Sequence, residues 1–217
     1  MSEYKCRICS SSKFRDFCNL DSTPLANSYQ RSKPLSLGSK KYKLNAIYCQ
    51  KCWLVQLDVV ARPKNIFSEY SYFSSYSKYW LIHCQKLFKT VEKNISIRRN
   101  DLIVEIASND GYLLKNFKNK YSNILGIEPA KNIARIANKN NIKTLNKFFT
   151  YSLSKKLIQE YSKSKLIISL NVLAHVPNIN DFVKGIKNLL QDDGTWLIEF
   201  PHLLNLIKHI QFDTIYH

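Results

Sequence analysis

From residue 101 onward the apolar positions fall into short continuous runs separated by amphipathic stretches. The run Leu102-Ile103-Val104-Glu105-Ile106-Ala107 predicts a strand buried on both faces, ending at Ser108-Asn109-Asp110-Gly111. A helix is expected over 112–117, a second strand over 123–128 and a second helix over 130–138. A later strand is read over 165–171, and a helix over 181–190 that stops near Asp193-Gly194. One more strand, 195–200, is ended by Pro201. Repeated strand–helix units of this kind predict an α/β domain with a parallel sheet covered on both faces. No internal repeats are visible.

Upstream of residue 101 the pattern changes twice. Residues 1–60 show no strong helical period; two Cys-x-x-Cys pairs bracket a stretch rich in Ser, Pro and Asn, which fits knuckles and short strands. Residues 61–80 are dense in Tyr and Ser. Trp80, Leu81, Cys84, Leu87, Phe88 and Val91 then recur at the spacing of an amphipathic helix. The chain is therefore divided into a small domain at 1–60, a connecting Tyr-rich segment and helix at 61–100, and the α/β domain at 101–217.

At 217 residues this organisation, one medium domain plus a small one, is what the length allows. No apolar run reaches about 18 residues, so no membrane span is expected. The start, Met1-Ser2-Glu3-Tyr4-Lys5-Cys6, has no apolar signal-peptide region, and a cytoplasmic location is the default expectation. The net charge of +17 raises a nucleic-acid reading. Its lysines, such as Lys86, Lys89, Lys93, Lys115, Lys118 and Lys120, are spread among Asn, Ile and Ser rather than gathered into a patch. A solvated surface is the better reading, although a sugar nucleotide would also benefit from such a field.

Six cysteines without a secretory context argue for metal rather than a disulfide framework. Cys6-Arg7-Ile8-Cys9 and Cys49-Gln50-Lys51-Cys52 supply four soft ligands, the set that tetrahedral zinc prefers. A site closed by four thiolates is structural rather than catalytic. Cys18 and Cys84 are left as small apolar fillers.

In an open parallel sheet, ligands bind at the carboxyl ends of the strands where strand order reverses. The turn after the first strand has small residues and one glycine, Gly111, and Glu128 follows at the end of the next strand. An acidic residue there accepts hydrogen bonds from ribose hydroxyls. The fingerprint Gly-x-Gly-x-x-Gly is absent, which disfavours NAD because its pyrophosphate needs a Gly-rich turn. S-adenosylmethionine (SAM) has no phosphate and tolerates a different turn.

The whole chain resembles the sugar C-methyltransferases, which methylate a carbon of nucleotide-linked keto-sugars. The resemblance is carried by the two cysteine knuckles, Ser22-Thr23-Pro24-Leu25-Ala26-Asn27 and Cys52-Trp53-Leu54-Val55-Gln56-Leu57. It continues through Glu69-Tyr70-Ser71-Tyr72-Phe73-Ser74-Ser75, Glu105-Ile106-Ala107-Ser108-Asn109-Asp110-Gly111 and Gly126-Ile127-Glu128-Pro129-Ala130. Asn171-Val172-Leu173-Ala174-His175-Val176-Pro177 and Glu199-Phe200-Pro201-His202 complete the set. It implies a Rossmann-like class I methyltransferase sheet behind a four-cysteine zinc-binding domain. It also implies a SAM site around Glu105, Ala107, Asn109, Gly111 and Glu128, with Phe148 or Phe149 near the adenine and Asn171 closing the pocket. Tyr70, Tyr72 and His175 would face the sugar.

Where many methyltransferases have glycine, this chain has Ala107. The resemblance further implies that the tail Phe212-Asp213-Thr214-Ile215-Tyr216-His217 runs on into Glu-His, with the catalytic base in the segment that follows, and that the sheet is incomplete at the C-terminus. On that expectation Tyr216 adjoins the reacting groups, and the chain alone has little activity or pairs with a separately encoded C-terminal half. A zinc-containing nucleic-acid module and a non-catalytic SAM-binding fragment are the competing expectations.

Overall fold

A computed structural model gives the structure of the chain and describes residues 4–25, 31–33, 37–58, 62–67 and 73–211. Packing divides it into two compact units, one holding the chain up to Ile66 together with Pro177–Asn180 and the stretch from Pro201 on, which carries the last helix, and the other built on Phe67–Val176 and Asp181–Phe200.

The first unit is an antiparallel sheet of β1 (Phe14–Thr23), β2 (Tyr42–Cys49) and β3 (Val55–Leu57), in that order. β1 and β2 are longer than the short strands expected from the pattern. Two register shifts, between Asp16 and Cys18 and between Asn19 and Ser22, break the alternation of β1 and hide its length from a period-two reading. The helix α1 (Pro63–Phe67) follows.

The second unit begins with a 3₁₀ turn, Ser74–Tyr76, and α2 (Lys78–Asn94). Ser77 caps α2 by accepting from the Trp80 backbone N–H at 3.2 Å. Then come β4 (Leu102–Ile106), α3 (Leu114–Lys118), β5 (Ile124–Ile127), α4 (Lys131–Lys139), β6 (Thr144–Leu145) and α5 (Tyr151–Tyr161). β7 (Ser164–Leu170), a 3₁₀ turn at Leu173–His175, α6 (Ile179–Leu189) and β8 (Leu190–Glu199) complete the sheet, and α7 (Leu203–Lys208) follows it.

All strand pairs in this sheet are parallel, in the order β6-β5-β4-β7-β8. Strand order reverses between β4 and β7, which fixes the ligand crevice at the carboxyl ends of those strands. Alternate residues of the central strands feed two cores. Ile103, Leu166, Ile168 and Leu170 pack with Cys84, Val91, Leu113, Leu114 and Phe117 on one face. Leu102, Val104, Ile106 and Ile167 pack with Leu157, Phe182, Ile186 and Leu189 on the other. The strands are buried on both sides, which is why they read as unbroken apolar runs.

In the parallel sheet and its helices the structure departs from the sequence reading at α3, β8, β6 and α5. α3 starts at Leu114 rather than 112, because Gly111, at φ +82°, still belongs to the turn. β8 starts at Leu190 rather than 195: it pairs Ser164 with Leu190, then resumes at Leu166 with Thr195, with a bulge between. Gly194 closes that bulge, where an added Cβ would stand 3.0 Å from the Gln191 backbone. β6 and α5 had no counterpart in the periodicity. β8 forms one edge of the five-stranded sheet.

Candidate functional site

The metal centre is built from two copies of one turn. Cys6 N–H donates to the Ser11 carbonyl (2.9 Å) and Ser10 N–H to the Cys6 carbonyl (3.0 Å). Cys49 N–H likewise donates to the Leu54 carbonyl (2.9 Å), and Trp53 N–H to the Cys49 carbonyl (2.9 Å). In both knuckles the closing residue is left-handed, Ser10 at φ 59° and Trp53 at φ 62°. The Gln50 N–H to Lys13 carbonyl bond (3.0 Å) joins one knuckle to the other.

The result brings all four sulfurs within 4.8 Å of one another, with Cys6–Cys52 at 3.5 Å and Cys9–Cys49 at 3.6 Å. A tetrahedral zinc ion with bonds of about 2.3 Å requires sulfurs about 3.8 Å apart, so the thiols fit it. Burial opposes ionisation of Cys49, but the backbone N–H groups of Cys52 and Lys51 and the neighbouring thiols outweigh it and bring the thiol down to about 6. All four positions are protein thiols, so no coordination site is left open for chemistry.

The second site lies at the carboxyl ends of β4 and β5. The turn after β4 takes left-handed conformations at Ala107 (φ 55°), Asn109 (φ 47°) and Gly111 (φ 82°). Left-handed non-glycine residues carry strain and cluster at functional sites. Gly126 in β5 admits the turn closely: a Cβ there would meet Ser108 Oγ at 2.5 Å and Thr144 Oγ1 at 2.7 Å.

Glu128 is held by two backbone donors, Asn109 N–H to Oε2 (3.0 Å) and Ala130 N–H to Oε1 (2.8 Å). Glu105 is 1% exposed, and neither of its carboxylate oxygens has a hydrogen-bond partner. Burial, foremost, pushes its ionisation well above the ordinary carboxylate range; the neighbouring Tyr112 hydroxyl, although outside good hydrogen-bond geometry, opposes this, and the charges of Glu128 and Asp110 add to it. Burial also raises Glu128, against the pull of its two backbone donors. Among the described residues no ion pair reaches Glu105, Asp110 or Glu128. In a chain of net charge +17 this is a pocket of three acidic side chains with no cationic partner among the described residues.

Such a cradle suits a cationic nucleoside and repels a diphosphate. SAM, with its sulfonium and ammonium groups and ribose hydroxyls, fits both the orphaned carboxylate and the aligned one. The structure therefore adds an electrostatic reason to the missing glycine fingerprint for excluding NAD.

The other residues singled out from the sequence fall as follows. Asn171 ends β7 at φ 54°, and its N–H donates to the Glu199 carbonyl (2.8 Å). Phe149 is committed to the core: its ring meets Phe182 edge-on at 5.4 Å and presses on Gly185, where a Cβ would lie 2.9 Å from it. Phe148, by contrast, is exposed. His175 lies in the turn after β7, edge-on to Phe67 at 5.5 Å. Tyr70, Tyr72 and Tyr216 lie outside the described residues.

Sequence reasoning missed the tie between the Tyr-rich segment and the turn after β4. Ser74 N–H donates to Asn109 Oδ1 at 3.0 Å, and Ser75 Oγ donates to Asp110 Oδ2. Two matched motifs, Ser74-Ser75 and Asn109-Asp110, thus meet across 35 residues of sequence. Only their joint presence in the resemblance hinted at it.

A four-thiol centre in one unit and a strand-end acidic cradle in the other are what a structural zinc site and a SAM site require. The family model of a zinc binding domain matches residues 6–67, and that of a methyltransferase domain matches residues 104–196. The chain thus combines a zinc-binding domain with a methyltransferase domain, and its cofactors are SAM and structural zinc.

It is 31% identical over 213 residues to the C-methyltransferase NovU of Streptomyces niveus, a likeness covering 98% of this chain and 51% of that protein. The chain thus spans about half the length of that relative. Among solved structures, the PH0226 protein of Pyrococcus horikoshii OT3 shares the fold at a TM-score of 0.50 and 15% identity, over 69% of this chain and 63% of that one. The plantazolicin methyltransferase BpumL, solved with SAH (S-adenosylhomocysteine), aligns at a TM-score of 0.47 and 12% identity, over 61% of this chain and 51% of that one. Among the described residues no helix is long and apolar enough to cross a membrane.

Proposed function

We propose that this chain takes part in SAM-dependent methylation of a carbon in a nucleotide-linked keto-sugar. The cradle of Glu105, Asp110 and Glu128, buried and without a cationic partner, carries the cofactor half of this reading. The likeness to a C-methyltransferase along nearly the whole chain, and the motif resemblance to the sugar enzymes, support the substrate half. When bound, SAM supplies a methyl group carried on a sulfonium.

The chain's own residues do the rest. Glu128, fixed by the Asn109 and Ala130 N–H groups, keeps lone pairs for ribose hydroxyls. Glu105 would hold the cationic part of the cofactor. The left-handed turn at Ala107, Asn109 and Gly111 brings backbone close to the ligand, Phe148 offers a ring to the adenine, and Asn171 closes the far side. Tyr70, Tyr72, His175 and Tyr216 are assigned to the sugar side, where the carbonyl must be polarised and its neighbouring carbon placed in line with the methyl.

Two measurements test this reading. Saturating SAH should raise the melting temperature by several degrees through mass action on the folded state. Isotope-labelled methyl from SAM should appear on a carbon of a nucleotide-linked keto-sugar. No thermal response to SAH would sink the cofactor assignment; label only on oxygen or nitrogen acceptors would sink the substrate assignment.

A further inference from the structure

The knuckle after β2 carries an aromatic side chain where its backbone suits glycine. Trp53 closes that turn at φ 62°, the position Ser10 takes in the other knuckle. A bulky residue on a left-handed backbone is strained, and such outliers gather at functional positions. The indole fills no core, because Trp53 is 72% exposed. Its ring is nevertheless held in place. It stacks on Tyr48 of β2, with centroids 6.0 Å apart and planes within 12° of parallel. The strained turn thus sets two parallel rings at the surface of the zinc unit.

The residues around these rings are basic. Arg15 is the direct cross-strand partner of Tyr48, so the two side chains stand on one face of the sheet. Lys13 meets the same knuckle through its carbonyl, which accepts from Gln50 N–H at 3.0 Å, and Lys51 lies inside the knuckle. Lys13, Arg15 and Lys51 are all exposed. Two acidic groups of the sheet are engaged elsewhere: Asn45 Nδ2 donates to Asp16 Oδ1 and to Asp58 Oδ2, at 3.1 Å each. Asn45 is three residues from Tyr48 along β2 and therefore points to the opposite face.

The positive surplus extends beyond this cluster. Residues 1–66 carry twelve Lys or Arg against four Asp or Glu, close to half of the net charge of +17 on less than a third of the chain. A zinc ion held by four thiolates removes about two units of this, and a clear excess remains.

We propose that this face of the zinc unit binds single-stranded nucleic acid, with a base stacked on Trp53 and the flanking phosphates taken by Lys13, Arg15 and Lys51. Stacking on an aromatic ring tolerates any base, and the cations supply a salt-dependent attraction. A duplex hides the faces of its bases, so an uncovered indole suits a strand. A partner recognised by charge alone has no use for parallel rings on a strained turn. The inference stands apart from the methyltransferase reading and concerns the zinc unit alone.

The test titrates the full, zinc-loaded chain into fluorescently labelled oligo(U) and oligo(dT), each about twelve nucleotides long, within the site sizes of single-strand binders. Anisotropy is read between about 50 and 200 mM salt, with a duplex of the same length beside them. The strands should bind at least about tenfold more tightly than the duplex. Trp53→Gly suits the left-handed turn and removes the ring; it should weaken strand binding at least about fivefold, the lower end of one stacked base. Arg15→Gln combined with Lys51→Gln should reduce the slope of log affinity against log salt by about 1.4, two phosphate contacts on a single strand.

Zinc content and the thermal response to SAH report that each variant is folded. If Trp53→Gly loses zinc, the double charge variant decides, and a slope within about 0.5 of wild type overturns the proposal. With zinc retained, Trp53→Gly binding within about twofold of wild type overturns it. So does equal binding of strand and duplex, which would mark an attraction to phosphate alone. Displacement of the strand by thymidine diphosphate at equal nucleotide concentration overturns it in favour of a mononucleotide site. Capture by phosphatidylserine vesicles without binding of either oligonucleotide overturns it in favour of a membrane surface.

Discussion

Glu105 is an expensive residue in the absence of a ligand. Its carboxylate is buried and unpartnered, and its ionisation is displaced above the ordinary value near 4.3. The folded, ligand-free chain therefore binds more protons than the unfolded chain as pH rises past that value. This contribution to stability is fully present below it and is lost as pH rises through the displaced ionisation. Glu105→Gln removes the group that folding holds protonated, so it should raise the neutral-pH stability of the ligand-free chain by about 1–3 kcal/mol and flatten its pH dependence. It should also weaken SAM binding at least about tenfold. Thermal melts between pH 4.5 and 8, with and without ligand, read all three effects; a variant that is less stable and binds as well as wild type contradicts the assignment.

Ala107 shows the opposite economy. A non-glycine residue at φ 55° is strained by about 1–2 kcal/mol. Glycine removes that strain but frees the unfolded chain by about 0.4–1 kcal/mol. Ala107→Gly should therefore be neutral or stabilising by up to about 1 kcal/mol in urea denaturation, with SAH affinity retained. Ala107 thus stands on a backbone already in glycine's conformation.

At the level of single strands and helices, what the pattern revealed depended on how a segment is buried. β4, β5 and β7 were legible because both faces are covered, giving runs such as Leu102–Ile106 that no other arrangement explains simply. β6 has two residues, and α5 opens on a Thr150 cap with Lys155 and Lys156 within it, so neither rose above the polar background. β1 was hidden by its bulges.

Gly126 was legible only as part of a motif; its physical task, leaving room for Ser108 and Thr144, needed coordinates. Gly126→Ala should destabilise by about 1–3 kcal/mol through overpacking, with a matching fall in SAH affinity because the turn after β4 must move. A melt unchanged from wild type would remove that account. Ser77→Ala, by contrast, loses only the cap of α2 and should cost about 1 kcal/mol.

Over the whole molecule, the division of labour was readable from cysteine spacing at one end and strand–helix alternation at the other. Contacts that bridge distant segments were not readable: Ser74 with Asn109, Ser75 with Asp110, and His83 with Glu199 join residues whose types are ordinary and whose spacing carries no period.

The two units also differ in what holds them together. The second has two extensive apolar cores. In the first, the buried apolar positions among the described residues are Cys6, Ala46, Ile47 and Cys49, two of them metal ligands. A core that small does not sustain a fold without a metal or other staple. Removing zinc with a chelator should unfold the first unit, seen as new protease cleavage within residues 4–58, while the thermal response of the second unit to SAH persists. Cleavage sites unchanged by chelation would refute this.

That imbalance has a consequence for the chain in a cell. Because the metal is a fastener and not a reagent, scarcity of zinc would not slow turnover reversibly, as it does for an enzyme that loses a reactive ion. It would expose a loose leading segment to quality-control proteases, so the response to deprivation is a fall in the number of molecules. Restoring the metal would then bring activity back only as fast as new chains are synthesised.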